Sequence, residues 1–105
     1  MQKLITKDIA RRLPKIGATS DLDASAVKVP LKLFNPCGAG TWYITEANTD
    51  TGEAFGYARI FEGELGYIDL NELRALRLPC QMRIERDIFW DPDTTLKQVM
   101  DGERR

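Results

Sequence analysis

"TWYITEANTDTGEAFGYARIFEGELGYIDL", residues 41–70, decides the fold. Residues 41–47 are β-branched and aromatic, the composition of a strand. "NTDTG", 48–52, reads as a hairpin loop, and "EAFGYARIF", 53–61, as its return strand. Gly63 marks a second turn, with Leu65–Ile68 as a brief strand after it. Turns this short pair their strands antiparallel, so the centre of the chain is a meander.

Working outward, "DLNELRALRL" from Asp69 is a helix. The D-x-x-E spacing places Asp69 as N-cap with Glu72 reaching back to it, a capping box. Leu70, Leu73 and Leu76 give the apolar stripe, Arg77 a basic C-terminal end, and Pro79 the stop. On the other side, "AVKVPLKLF", 26–34, alternates with Val27, Val29, Leu31 and Leu33 inward and Lys28 and Lys32 outward. Pro30 cannot donate to a ladder, which predicts an edge position or a bulge. Thr6 caps a helix "TKDIARRLPK" carrying Ile5, Ile9 and Leu13 at helical spacing. "GATSDLDAS" is a loop, residues 82–89 are a strand, and "TLKQVMDG" from Thr94 or Thr95 is a last helix ended by Gly102. The order predicts a single α+β domain over residues 1–105, with a mainly antiparallel sheet of about five strands and three short helices.

Composition narrows function by exclusion. The chain has 105 residues, 43% hydrophobic and 30% charged, with a net charge of −1. A chain of this length buries roughly 65% of its extended surface and needs no staples. No overall basic field draws it to nucleic acid or an anionic membrane. It contains no histidine, which removes the commonest general base, the commonest zinc ligand and every Ser-His or Cys-His nucleophile. Cys37 and Cys80 form no CxxC pair, and no apolar run resembles a secretion signal or membrane span. These features predict a cytoplasmic protein with reduced thiols, no cofactor and no membrane partner, leaning away from an enzyme.

Several residues bear weighing as sites. In "MRIERDIFW", 82–90, Arg86 interrupts the apolar row Met82, Ile84, Ile88, Trp90. A buried guanidinium needs a partner. It is read either as half of a register-fixing ion pair, with Glu46, Glu64 or Glu72 as candidates, or as a ligand-facing arginine, or as an edge residue reaching water. Glu46 is placed on the face of Trp42 and Ile44. Glu85 and Asp87 project side by side, about 7 Å apart by strand geometry, as paired carboxylates for a metal or acid–base chemistry would; Arg83 on the same face can neutralise them. Trp42, Tyr43, Phe55, Tyr57 and Phe61 on neighbouring strands suit either base stacking or cross-strand core packing. The N-terminal segment carries net charge +4 over residues 1–15, and Lys7, Arg11 and Lys15 at i, i+4, i+8 would line a basic helix face.

The run Trp42-Tyr43, Phe55-Gly56-Tyr57, Glu64-Leu65-Gly66-Tyr67, Leu70, Glu72-Leu73 and Glu85-Arg86-Asp87, with the opening "LITKDIARRLPKI" and the later "IERDIFWDP", carries a resemblance. The chain resembles the bacterial and phage family named domain of unknown function 2958. The resemblance implies a small single-domain protein of the kind frequently encoded on plasmids, phages and other mobile elements, and brings no catalytic residue to carry over. "NPCGAG", 35–40, and the tail "MDGERR" show no family pattern. The reading that follows is a non-enzymatic interaction protein acting on a host or defence protein, with Arg86, Glu85, Asp87, Trp42 and Tyr67 as exposed binding residues. The alternative is a weak nucleic-acid-binding module using Lys7, Arg11, Lys15 and the aromatic strands.

Overall fold

The computed structural model describes residues 3–102, apart from the side chain of Cys80. Its elements run α1 (Lys7–Arg12), β1 (Leu31–Phe34), β2 (Thr41–Asn48), β3 (Glu53–Arg59), β4 (Gly63–Asp69), α2 (Leu70–Ala75), β5 (Glu85–Arg86) and α3 (Leu96–Met100), with 3-10 turns at Ala24–Ala26 and Pro79–Gln81. The strands form one antiparallel sheet in the order β4-β3-β2-β1-β5, which gives the α+β domain expected.

The β2–β4 meander forms for local reasons. Asn48 closes the first hairpin: its side-chain oxygen accepts from the backbone N–H groups of Asp50 and Thr51, and its carbonyl accepts from Gly52. Gly52 sits at φ +85°, a conformation that costs glycine little and other residues much. Asp69 ends β4 and caps α2 by accepting from Asn71 and Glu72, so strand and helix share one residue as boundary. The reciprocal half of the expected capping box is not made there. It occurs at α3, between Thr95 and Gln98.

Both sheet faces are covered, but by different segments. Leu31, Leu33, Trp42, Ile44, Ala54 and Ile68 pack against Leu4, Leu13, Leu70 and Leu73, so α1 and α2 cover one face. Tyr43 packs with Val27, Val29, Leu96 and Val99 beneath α3 on the other. The inward row Val27, Val29, Leu31, Leu33 therefore divides between two cores. Pro30 stands at the change-over, just before β1, and the ladder with β2 begins only at Leu31 opposite Ile44. Val27 and Val29 instead bond through their backbones to Leu96 and Thr94, which ties α3 down.

That change of face reverses the reading of Lys32. It is buried, not outward, on the face of Tyr43. Its ammonium lies 3.4 Å from an Asp87 carboxylate oxygen, 5.2 Å from the Trp90 ring centroid and 5.8 Å from that of Tyr43. A second irregularity moves Glu46. The β2–β3 register shifts between Ile44 and Glu46, so Thr45 is extra and Glu46 lies opposite Phe55, on the face of Tyr43 and not that of Trp42. The strand expected over 82–89 shrinks to Glu85–Arg86. Trp90 turns to the Tyr43 face, where its indole N–H donates to the Val29 carbonyl at 2.7 Å, while Ile88 is left exposed.

Candidate interaction surface

The residues singled out in the sequence do not converge. Tyr67 is on β4, one edge of the sheet; Glu85, Arg86 and Asp87 are at the opposite edge; Trp42 lies between them. Trp42 is only 8% exposed and packs into the core beneath α1 and α2, so it is not a surface binding residue. Tyr67, at 71% exposure, stands in solvent.

At the β5 edge the chemistry is turned inward. The Arg86 guanidinium donates to the backbone carbonyl of Lys3 and so holds the N-terminal segment against β5. Glu46 and Glu64, expected as ion-pair candidates, sit on the other face and at the other edge, respectively. Asp87 faces Lys32 and also accepts from the N–H of Phe89, so it is held by internal contacts rather than paired with Glu85. Among the described residues no three His, Cys, Asp or Glu side chains cluster as a metal set. The basic stripe is also altered. α1 ends at Arg12, Lys15 lies beyond Pro14 outside the helix, and Arg11 is ion-paired with Asp8.

Glu46 is 3% exposed and both its carboxylate oxygens are engaged. One accepts from the Gly17 N–H at 2.7 Å; the other accepts from the Thr19 N–H at 2.8 Å and from the Thr19 hydroxyl. Burial pushes this carboxyl up, but the Thr19 hydroxyl and the two backbone donors outweigh it and hold it below its ordinary value. The bulge at Thr45 is what aims Glu46 at this loop. The carboxylate thus fixes residues 17–19 beside the sheet as one wall of a shallow groove, along with Leu22, Phe55, Leu65, Tyr67 and Met100.

The exposed apolar surface gathers at the β3–β4 hairpin. Of the nine large hydrophobic residues exposed among the described residues, four belong to it: Ile60, Phe61, Leu65 and Tyr67. Phe61 is 93% exposed at the tip, and Tyr67 stands edge-on to Phe55 with ring centroids 5.3 Å apart. Leu65 and Tyr67 share a face by strand alternation, and α3 does not reach far enough to cover them. The sequence points to Tyr67, and to Phe61 only as one of the aromatics for stacking or core packing, but gives Leu65 no surface role. The signal lies in the two-residue spacing of Leu65 and Tyr67, on a strand with no neighbour beyond it among the described residues.

The chain matches the family model described as "Protein of unknown function (DUF2958)" over residues 4–105. It belongs to that family. No curated protein and no solved structure matches it. In this DUF2958 chain the motif Glu64-Leu65-Gly66-Tyr67 is therefore the exposed edge strand, and Glu85-Arg86-Asp87 the anchor of the opposite edge.

Among the described residues no helix is long and apolar enough to cross a membrane.

Proposed function

We propose that this DUF2958 protein is a non-enzymatic interaction domain that docks another protein on the outer face of its β3–β4 hairpin, through Tyr67, Leu65 and Phe61. The supporting observation is that Leu65 and Tyr67 stand in solvent on an edge strand, and Phe61 at the hairpin tip, although the same sheet buries Ile68 and Ala54 a few residues away. An apolar face rimmed by polar residues on a small soluble domain is the usual mark of a protein contact. Aromatic residues of this kind supply most of the energy of such contacts. The partner we favour is a host or defence-system protein met in the cytoplasm by a mobile element's product, a setting that rests on what the family resemblance implies.

The test is affinity capture from the native host's lysate with the tagged protein and its Tyr67→Ala variant, each with and without nuclease. A protein retained by the wild type in both conditions and lost with Tyr67→Ala is the expected result. Identical captures from the two proteins would overturn the docking face. Enrichment that vanishes on nuclease treatment would favour the nucleic-acid reading. That reading further requires binding that weakens steeply with salt and is reduced in Arg11→Glu and Lys15→Glu.

A further inference from the structure

We propose that β4 takes up an added strand, and that its occupant is an extended basic segment of a partner protein in which apolar residues alternate with lysine or arginine. This deepens the docking reading above and rests on it for the location of the surface.

β4 is a seven-residue strand at the edge of the sheet, and nothing among the described residues pairs with its outer side. The direction of its free groups follows from two contacts. Leu70 donates to the Gly52 carbonyl, so its N–H points to the β3 side; the Phe55 carbonyl turns the other way, to the Thr45 hydroxyl on β2. Backbone groups in a strand repeat their direction every second residue. Leu65 and Tyr67 therefore aim N–H and C=O away from the sheet, as Asp69 does its N–H, its carbonyl being the first acceptor of α2, while Glu64, Gly66 and Ile68 bond β3. Unpaired edges of this length are usually blunted or covered, and recognition by strand addition uses this kind of row.

Gly66, in the middle of β4, has no internal reason to be glycine. A Cβ there would meet nothing within 4 Å, whereas one on its partner Gly56 would fall 2.0 Å from the Tyr43 carbonyl oxygen. Gly56 is required by the fold. Gly66 weakens a strand for no gain within the chain, and glycine in a strand interior often marks the approach of another backbone.

Charge selects the occupant. Residues 50–72 hold Asp50, Glu53, Glu62, Glu64, Asp69 and Glu72 against the single base Arg59, a net −5 in a chain whose total is −1. Glu53, Asp69 and Glu72 line one recess with Tyr67, and Glu62 and Glu64 are exposed at the start of β4. Two copies meeting edge to edge would bring these carboxylates together, so the same charges that discourage self-pairing admit a basic strand. The pleat sets the pattern. A strand added beside β4 presents alternate residues to Leu65 and Tyr67, where apolar side chains fit, with a basic one toward Asp69 and Glu53 at the end of that row, and the intervening ones to the face of Glu64, where basic ones fit.

The probe is a short synthetic peptide alternating valine and lysine, titrated into the isotopically labelled full chain and followed residue by residue through the amide signals. Binding tighter than about 1 mM is expected, with shifts confined to residues 53–72. Leu65, Tyr67 and Asp69 amides gain protection from hydrogen exchange. A peptide methylated on alternate backbone nitrogens, or one with glutamate for lysine, leaves the spectrum unchanged. Glu62→Lys with Glu64→Lys, both at exposed positions, weakens the valine–lysine peptide on the order of fivefold. The proposal is overturned if residues 63–69 do not respond, if the methylated or acidic peptide acts equally, or if the edge is protected by a concentration-dependent dimer. Because the peptide needs no host protein, a failed titration alongside a capture lost in Tyr67→Ala rejects strand addition while leaving ring-face docking intact.

Discussion

Replacing Glu46 with glutamine tests the argument that a single carboxylate, turned by a bulge, fastens the 17–19 loop to the sheet. The amide keeps one acceptor oxygen for Thr19, but its NH2 group then faces the Gly17 N–H, donor against donor. Leaving a buried donor unsatisfied costs about 1–3 kcal/mol, and the two Thr19 bonds lose their charge assistance, roughly another 1 kcal/mol together. Relief of the desolvation that opposes the carboxylate returns part of this. The expected loss is about 2–3 kcal/mol, which for a chain of this size lowers the melting temperature by roughly 10–15 °C.

The assay is urea or thermal unfolding of wild type and Glu46→Gln as a function of pH. The Glu46 carboxyl is held below its ordinary value of 4.5. A depressed carboxyl contributes stability that is complete above the unfolded value and lost as pH falls through the folded one. The gap between wild type and variant should therefore be widest near neutrality and shrink once the pH drops below about 4. A gap under about 0.5 kcal/mol at pH 7, or one that stays constant into acid, would refute the carboxylate's role as the fastening group.

Other outcomes follow from the same structure. Tyr67→Ala changes stability by less than about 0.5 kcal/mol, whereas Trp42→Ala costs about 3–5 kcal/mol; chemical unfolding of the two separates surface from core. Asp87→Ala removes the carboxylate that faces a mostly buried Lys32 ammonium and costs about 1–3 kcal/mol after allowance for the partial exposure of Asp87, while Lys32→Met, which keeps the ring contacts and removes the charge, costs less in the same assay. Gly56→Ala is destabilising by about 2 kcal/mol or more, since its Cβ collides with backbone, and Gly66→Ala is neutral or stabilising by about 0.5–1 kcal/mol. Equal effects of the two glycine changes on the melting temperature would contradict the close approach at Gly56.

The meander was legible because its information is local. β-branched and aromatic runs, Asn48–Gly52 and Asp69 each specify a strand, a turn or a cap from neighbouring residues. What escaped were the positions where the chain changes face. Alternation assigns Lys32 to solvent only if 26–34 is one continuous strand, and Pro30 divides it. Counting by twos carries Glu46 to the Trp42 face only if β2 has no bulge, and Thr45 supplies one. A one-residue irregularity moves every later side chain to the other face, so both errors have a single physical origin. The 82–89 strand failed differently. Its alternating pattern is genuine, but β1 offers a partner only opposite Leu33 and Phe34, and Trp90 gains more by bonding Val29 and packing on Tyr43.

The same two face changes help to shape the candidate surface. With Val27 and Val29 transferred to the Tyr43 side, α3 is anchored over β2 and the segment that leads into β1, and its apolar residues Leu96 and Val99 are used up there. Glu46, redirected by the bulge, brings the 17–19 loop to the border of that covered region. Beyond it, Leu65 and Tyr67 extend the same sheet face, exposed, with no segment above them among the described residues. A fold that needed only stability would place polar residues at these two positions, as it does at Glu64 and Asp69 on the same strand. Apolar exposure here lowers solubility without adding to the core, which is the composition the proposed docking contact requires.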